Sequence, residues 1–92
     1  MTRQSARRDG SAKRLGRFDE AVEQLRRALT VLRATGNHWV EGETLDHFGE
    51  VLLVEGRTEE ARARWRQALK IFEEIDHPDT ARLKSDFVLT GT

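Results

Sequence analysis

Displaced against itself by 40 residues, the sequence lays positions 16–32 over 56–72, with identities at Gly16/Gly56, Arg17/Arg57, Glu20/Glu60, Ala21/Ala61, Arg26/Arg66, Ala28/Ala68 and Leu29/Leu69. A fixed self-similar offset means that one supersecondary unit recurs, and such a unit buries its apolar face only by stacking on its neighbours. The substituted pairs keep their physical character: Asp19/Glu59, Leu25/Trp65, Val31/Ile71 and Leu32/Phe72. Within each copy the apolar period is helical. Phe18, Ala21, Val22, Leu25, Ala28, Leu29 and Leu32 recur at intervals of three and four, and Ala61, Trp65, Ala68, Leu69 and Phe72 do the same.

The punctuation points to tight helix-turn-helix units. Gly16 and Gly56 stand where a preceding helix would end in the left-handed conformation that glycine adopts at little cost. Thr58, followed by Glu59 and Glu60, reads as an N-cap with an acidic first turn. Arg62 replaces Val22 at the margin of the apolar face, its aliphatic stem on the core and its charge in water. Between the copies, residues 40–54 predict another helix, with Leu45, Phe48 and Leu52 at the centre of its apolar face and Gly49 beside them. A glycine inside a helix costs about 1 kcal/mol relative to alanine, so its place on the buried face predicts close approach of a neighbouring backbone. His77, Pro78 and Asp79 break the chain, and Ala81, Leu83, Phe87 and Val88 predict a short terminal helix over 78–88. The expected architecture is all-α, a fragment of an α-solenoid built from antiparallel helix hairpins with about four helices. Residues 1–14 are expected to form a basic, disordered tail and 15–92 the repeat module, with the second helix of a partial repeat at 17–35 and a complete repeat at 39–75.

At these positions the chain resembles the tetratricopeptide repeat (TPR) family. The family's spaced pattern of large apolar, leucine or aromatic, glycine and alanine positions is met by Leu45, Phe48, Gly49, Leu52, Ala61, Trp65 and Ala68. The proline usual near Glu73 is missing, and the unit of 40 residues exceeds the standard length of about 34. The extra length falls in a longer second helix and in the linker around Thr35, Gly36, Asn37 and His38, as in the long-repeat arrays of bacterial signalling proteins. Residues 36–53 and 68–74 resemble the carboxyl-terminal arrays of actinobacterial transcriptional regulators of the antibiotic-regulator type and of related signalling ATPases. The resemblance covers about residues 15–84 and implies a scaffold or sensor module for protein–protein interaction. It stops upstream, where Ser5, Arg8, Asp9 and Ala12 stand at the offset positions of Leu45, Phe48, Gly49 and Leu52. The first repeat therefore lacks a recognisable first helix, and one expectation is a truncated carboxyl-terminal fragment of a TPR-containing transcriptional regulator. The uncovered apolar side of the helix holding Leu25 and Leu29 invites self-association or a partner.

Charge and composition narrow the function classes. The 16 basic and 16 acidic residues cancel, yet Arg3, Arg7, Arg8, Lys13, Arg14 and Arg17 face Asp9 alone in the first 17 positions. Such a segment serves as a nucleic-acid-binding arm or as a solvated tail. It has no aromatic to stack on a base, and Gly10 interrupts any helix that would present the arginines in register, so the tail is the preferred reading and nucleic acid the alternative. The absence of cysteine removes disulfides, thiolate ligands and a cysteine nucleophile, and fits a reducing compartment. The longest apolar run, Val51, Leu52, Leu53 and Val54, falls far short of the roughly 20 residues that cross a bilayer. A cytoplasmic location without membrane contact is the expectation.

The resemblance implies that the first helix of each unit lines a concave groove. On that helix Glu43, Asp46, His47 and Glu50 lie opposite Leu45 and Phe48 at spacings of three and four. An acidic stripe in a groove favours a basic or arginine-bearing peptide; an ordinary solvated face accounts for the same pattern. Catalytic constellations are poor. Glu43 and His47 have the spacing of two metal ligands, but no second histidine or cysteine completes a set. Ser5, Ser11 and Ser85 have no nucleophile elbow, and there is no phosphate-binding loop. No enzyme activity, cofactor or metal is expected. His38 and His77 read as turn residues, and Trp39 and Trp65 as core anchors.

Overall fold

The computed structural model describes residues 11–91. They form four α-helices and no strand: α1 (Ser11–Thr35), α2 (His38–Val54), α3 (Thr58–Ile75) and α4 (Thr80–Gly91). Successive helices pack side by side, α1 on α2, α2 on α3 and α3 on α4, so the chain is a run of antiparallel hairpins. Most of the expected basic tail, residues 1–10, lies outside the described residues; 11–14 belong to α1.

The corners share one hydrogen-bonding device. Gly36 and Gly56 take φ values of 73° and 81°, the left-handed region that costs glycine little. At the first corner Asn37 N–H donates to the Leu32 carbonyl at 3.0 Å and Gly36 N–H to that of Arg33 at 3.3 Å. At the second, Arg57 N–H reaches Leu52 at 2.9 Å and Gly56 N–H reaches Leu53 at 2.9 Å. This Schellman pairing uses carbonyls that the helix end leaves open. At the third corner Asp76 takes the left-handed position with φ 58°, and His77 N–H donates to the Phe72 carbonyl at 2.9 Å. Two expected boundaries shift. Gly16 ends no helix: α1 runs through it, among the strong helix formers Ala12, Lys13, Arg14 and Leu15. Thr58 is the first residue of α3, and its N-cap is Arg57, with no side-chain cap; Asn37 is the side-chain cap that spacing missed, its Oδ1 accepting from Val40 N–H at 3.3 Å.

The core is centred on the α2–α3 pair. Leu45, Phe48 and Leu52 of α2 are buried with Ala61, Trp65, Ala68 and Phe72 of α3, joined by Phe18 and Leu29 from α1 and Leu83 from α4. Gly42 and Gly49 are two turns apart on α2. A Cβ at Gly42 would lie 2.7 Å from the Phe72 ring, and one at Gly49 would lie 2.3 Å from Trp65 Nε1. The close neighbour of Gly49 is therefore an aromatic side chain, where the sequence predicts backbone. The Trp65 indole N–H donates to the Asp46 carbonyl at 3.0 Å, which satisfies the one polar group that its burial would strand. Arg62 also departs from expectation. Its guanidinium lies 4.0 Å from the Phe87 ring centroid and donates to the Phe87 carbonyl and to Thr90 Oγ1. The charge sits at the carboxyl end of α4, where the helix dipole favours a cation.

Two glycine substitutions test the packing in opposite directions. Gly49→Ala should lower stability by about 2–3 kcal/mol, because the rigid indole cannot yield without losing its hydrogen bond. Gly16→Ala meets open space inside a helix and should raise stability by about 0.5–1 kcal/mol. Urea unfolding followed by circular dichroism measures both; a stabilised Gly49→Ala would contradict the α2–α3 packing, and a destabilised Gly16→Ala would contradict the continuity of α1.

Candidate interaction surface

The exposed edge of α2 carries the residues singled out by spacing, and the structure divides them. Glu43 Oε2 accepts from Trp39 Nε1–H at 3.0 Å and lies 3.1 Å from His77 Nε2. Asp46 is buried, its Oδ2 paired with Arg82 Nη2 of α4 at 2.6 Å; its Oδ1 is buried without a hydrogen-bond partner. His47 and Glu50 stay exposed, with Nδ1 of the histidine 3.7 Å from Glu50 Oε1. Half of the acidic stripe is thus held internally by groups contributed from beyond α3.

His77 explains much of that arrangement. The ring is buried and stacks on Phe72 with centroids 4.0 Å apart and planes 8° apart. Asp79 N–H donates to Nδ1 at 3.0 Å, so Nδ1 carries no proton and Nε2 is the donor to Glu43. A neutral imidazole is satisfied on both edges. Trp39, read from sequence as a core anchor, is 46% exposed; its ring tilts over His77 at 4.3 Å. Position alone marks His77 as a turn residue, and only the fold brings Glu43 to it across 34 positions.

Arg82 ties α4 to α2. Beyond Asp46 it lies 3.5 Å from Asp79 Oδ2 and 3.1 Å from Asp86 Oδ2. The hydrogen bond to Asp46 is the main cause that raises its pKa above the ordinary arginine value, with burial opposing, so the guanidinium stays charged at any working pH. The spacing of Arg82 and Asp86 on α4, with Asp79 just before its start, was a signal available in the sequence.

Among the described residues, three hollows stand out. One, of about 500 Å³, lies between α2 and α4, lined by Glu50, Leu53, Val54, Trp65, Asp86, Leu89 and Thr90. Its lining is mainly apolar, with the two carboxylates as its charged groups. A second, of about 530 Å³, lies between α1 and α3; Phe18, Val22, Phe48 and Leu52 supply apolar surface among Asp19, Glu23, Arg26, Arg57, Glu60 and Arg64. The third, of about 500 Å³, follows α1 and the start of α2 past Ala28, Val31, Leu32 and Val40. Along α1 the uncovered apolar surface lies at Val31, which is 60% exposed, while Leu29 is buried and Leu25 packs against the core. Among the described residues no three His, Asp or Glu side chains converge as a metal site, and no described helix is long and apolar enough to cross a membrane.

Comparison with known proteins gives two matches. The profile of the tetratricopeptide repeat matches residues 10–74. The regulatory protein AfsR of Streptomyces griseus is 32% identical over 65 residues, a stretch that covers 71% of this chain and 7% of that protein. The chain therefore spans a small part of that relative's length. No solved structure matches.

Removing the groups that secure the α2 edge should be costly. His77→Ala strips the stacking partner of Phe72 and leaves the Asp79 N–H without an acceptor, an expected loss of about 2–3 kcal/mol. Arg82→Met leaves Asp46 buried and unpaired; with Arg82 partly exposed the loss should be about 1–3 kcal/mol. Adding Asp46→Asn to Arg82→Met should recover part of it. A double-mutant cycle by urea unfolding reads the coupling, and strict additivity would show that the pair does not hold α4.

Proposed function

We propose, on the premise that this chain belongs to the tetratricopeptide repeat family, that it is a protein–protein interaction module without catalytic activity, working in the cytoplasm. Repeat modules of this kind are typically non-catalytic scaffolds, and function resides in the surfaces they present. The site proposed is the open edge of α2 and α4, and the occupant is a peptide segment carrying arginine or lysine beside apolar side chains. One observation carries this reading: the hollow lined by Leu53, Val54, Trp65 and Leu89 is bounded by Glu50 and Asp86. An apolar side chain fits the hollow while a cation meets Glu50, beside Asp86 which Arg82 already engages, and such charge complementarity steers encounter and sets register. Glu43 and His47 extend the acidic edge; Asp46 belongs to it through its pair with Arg82. Within α2, Leu53 and Val54 follow Glu50 by about one turn, so one short peptide can reach both features.

A second reading concerns context. The similarity to the regulatory protein AfsR favours the module as the repeat portion of a transcriptional regulator, sensing a partner on behalf of domains elsewhere. In-frame coding sequence for such domains beside this one would support it, and its absence from the genomic neighbourhood would count against it.

The groove assignment is testable with an acetylated, amidated octapeptide that alternates leucine and arginine. It should bind the chain at low salt and weaken as ionic strength rises. Glu50→Lys should reduce affinity by about tenfold, since it reverses an exposed charge without touching the Asp46–Arg82 pair. Isothermal titration calorimetry reads the outcome. Unchanged affinity in Glu50→Lys, or equal binding of a leucine–glutamate peptide, would sink the assignment.

A further inference from the structure

The hollow between α1 and α3 shares no residue with the α2–α4 edge and, unlike it, brings arginines into its lining, with Arg26, Arg57 and Arg64 beside Asp19, Glu23 and Glu60. Four arginine heads around the fold find carboxylates: Arg27 with Glu23 at 3.1 Å, Arg33 with Glu41 at 3.0 Å, Arg57 with Glu60 at 3.3 Å, and Arg82 with its three aspartates. Arg64 and Arg26 have no such partner among the described residues. The Arg64 guanidinium lies 4.4 Å from the centroid of the Phe48 ring and donates to Gln67 Oε1 at 3.3 Å, which fixes its plane while leaving most of its donors free. Its pKa is lowered, first by burial and then by the fields of Arg26 and Arg33, with Glu60 opposing. Three arginines, Arg26, Arg33 and Arg64, therefore lie close enough to act on one another, and among the described residues Arg33 alone of the three is ion-paired.

The acids that line the same hollow sit elsewhere along it. Helices α1 and α3 both run in the same direction past α2. Asp19 and Glu60 lie near the amino-terminal parts of their segments in the hollow, with Arg57 paired to Glu60. Glu23 is engaged by Arg27. Arg26, Arg64 and Gln67 lie further on, towards the carboxyl-terminal parts. Arg64 thus sets the groove's positive end beside the buried Phe48, while Leu52 lies towards the Arg57 end.

We propose that this groove is a second docking site, for a segment of a partner protein that places a glutamate or aspartate side chain on Arg64 and Arg26 and an apolar side chain over Val22, beside the buried Phe18 whose ring Arg57 covers. A planar, partly desolvated guanidinium binds a carboxylate by donating paired hydrogen bonds, and the second arginine adds positive charge beside it. The groove lies open along its length between two helices, which suits a passing chain segment more than a buried chain end. Its volume of about 530 Å³ accommodates a few side chains.

The test uses the whole chain and an acetylated, amidated hexapeptide with two leucines flanking a central glutamate. Three comparison peptides replace the glutamate with glutamine, replace it with phosphoserine, or move the carboxylate to a free carboxyl terminus. NMR titration should show the glutamate peptide shifting amides of Arg26, Phe48 and Arg64, with affinity at least about tenfold above the glutamine peptide. Arg64→Met, which keeps the aliphatic stem on Phe48, should lose that advantage; Arg64→Lys should keep only part of it; Glu50→Lys should leave it intact. Melting curves establish that each variant is folded. Equal binding of the glutamate and glutamine peptides, or an Arg64→Met variant that still discriminates between them, overturns the site. A phosphoserine or free-terminus peptide that outbinds the glutamate peptide by about tenfold overturns the occupant.

Discussion

Two absent side chains set the register of the whole array. Gly42 and Gly49 open slots two turns apart on α2, and Phe72 and Trp65 fill them from positions two turns apart on the antiparallel α3. A slip by one turn would drive a large ring against Leu45 or Asp46 instead, and close-packed interiors do not absorb such a volume change. The Trp65 hydrogen bond to the Asp46 carbonyl adds direction to a contact that packing alone would leave free to rotate. Consequences propagate from there. Phe72 in its slot presents a face on which His77 stacks, and the stacked His77 aligns the chain that enters α4. The position of α4 then brings Arg82 to Asp46.

Charge follows the same hierarchy. Helix α2 buries two carboxylates, Glu41 and Asp46, and each is met by an arginine from a different flanking helix, Arg33 of α1 and Arg82 of α4. An ion pair at a half-exposed site contributes little net stability, whereas a buried carboxylate stripped of its partner is strongly unfavourable. These pairs therefore discriminate between neighbours more than they stabilise: exchanging α1 and α4 around α2 would leave Glu41 and Asp46 without cations. Specificity of this kind matters in a repeat array, where similar apolar faces make wrong stacking orders nearly as favourable as the right one.

What could be read from sequence was what depends on local period. Leu45, Trp65 and Phe72 are buried because volume at helical spacing marks a core face, and the 40-residue offset marks which faces repeat. Gly16 was misread because its repeat mate Gly56 stands at a corner; the corner also needs a helix end, and the helix formers around Gly16 supply none. Asp76 escaped notice because the third corner uses a costlier residue in the left-handed position. At the α2 edge, spacing found Glu43, Asp46, His47 and Glu50 as one stripe, but it could not show that His77 and Arg82 return to occupy two of them. Those partners lie 34 and 36 positions away, a separation that no helical wheel contains. Arg62 was misplaced for the same reason: its stem lies where the wheel puts it, while its charge answers to the end of a later helix.

The two charged hollows have a common geometric origin. Each lies between helices two apart in the chain, α1 with α3 and α2 with α4, and each draws part of its lining from the helix between them: Phe48 and Leu52 in the first, Trp65 in the second. Trp65, on the floor of the second hollow, is held against the Gly49 slot, and Phe48 and Leu52 on the floor of the first are buried in the core. The same Trp65 that fixes register thus also shapes the α2–α4 hollow, and Phe48, its near neighbour across the interface, carries the Arg64 guanidinium on the other side. Stacking hairpins alternately leaves one hollow on each side of the sheet of helices, and what distinguishes them is which ionic groups folding has already paired. On the α2–α4 side Arg82 is engaged by aspartates and Glu50 stays exposed; on the α1–α3 side Glu23 and Glu60 are engaged by arginines and Arg64 is without an ion pair among the described residues. The two proposed sites share no residue, so on these proposals neither occupant needs the residues that bind the other.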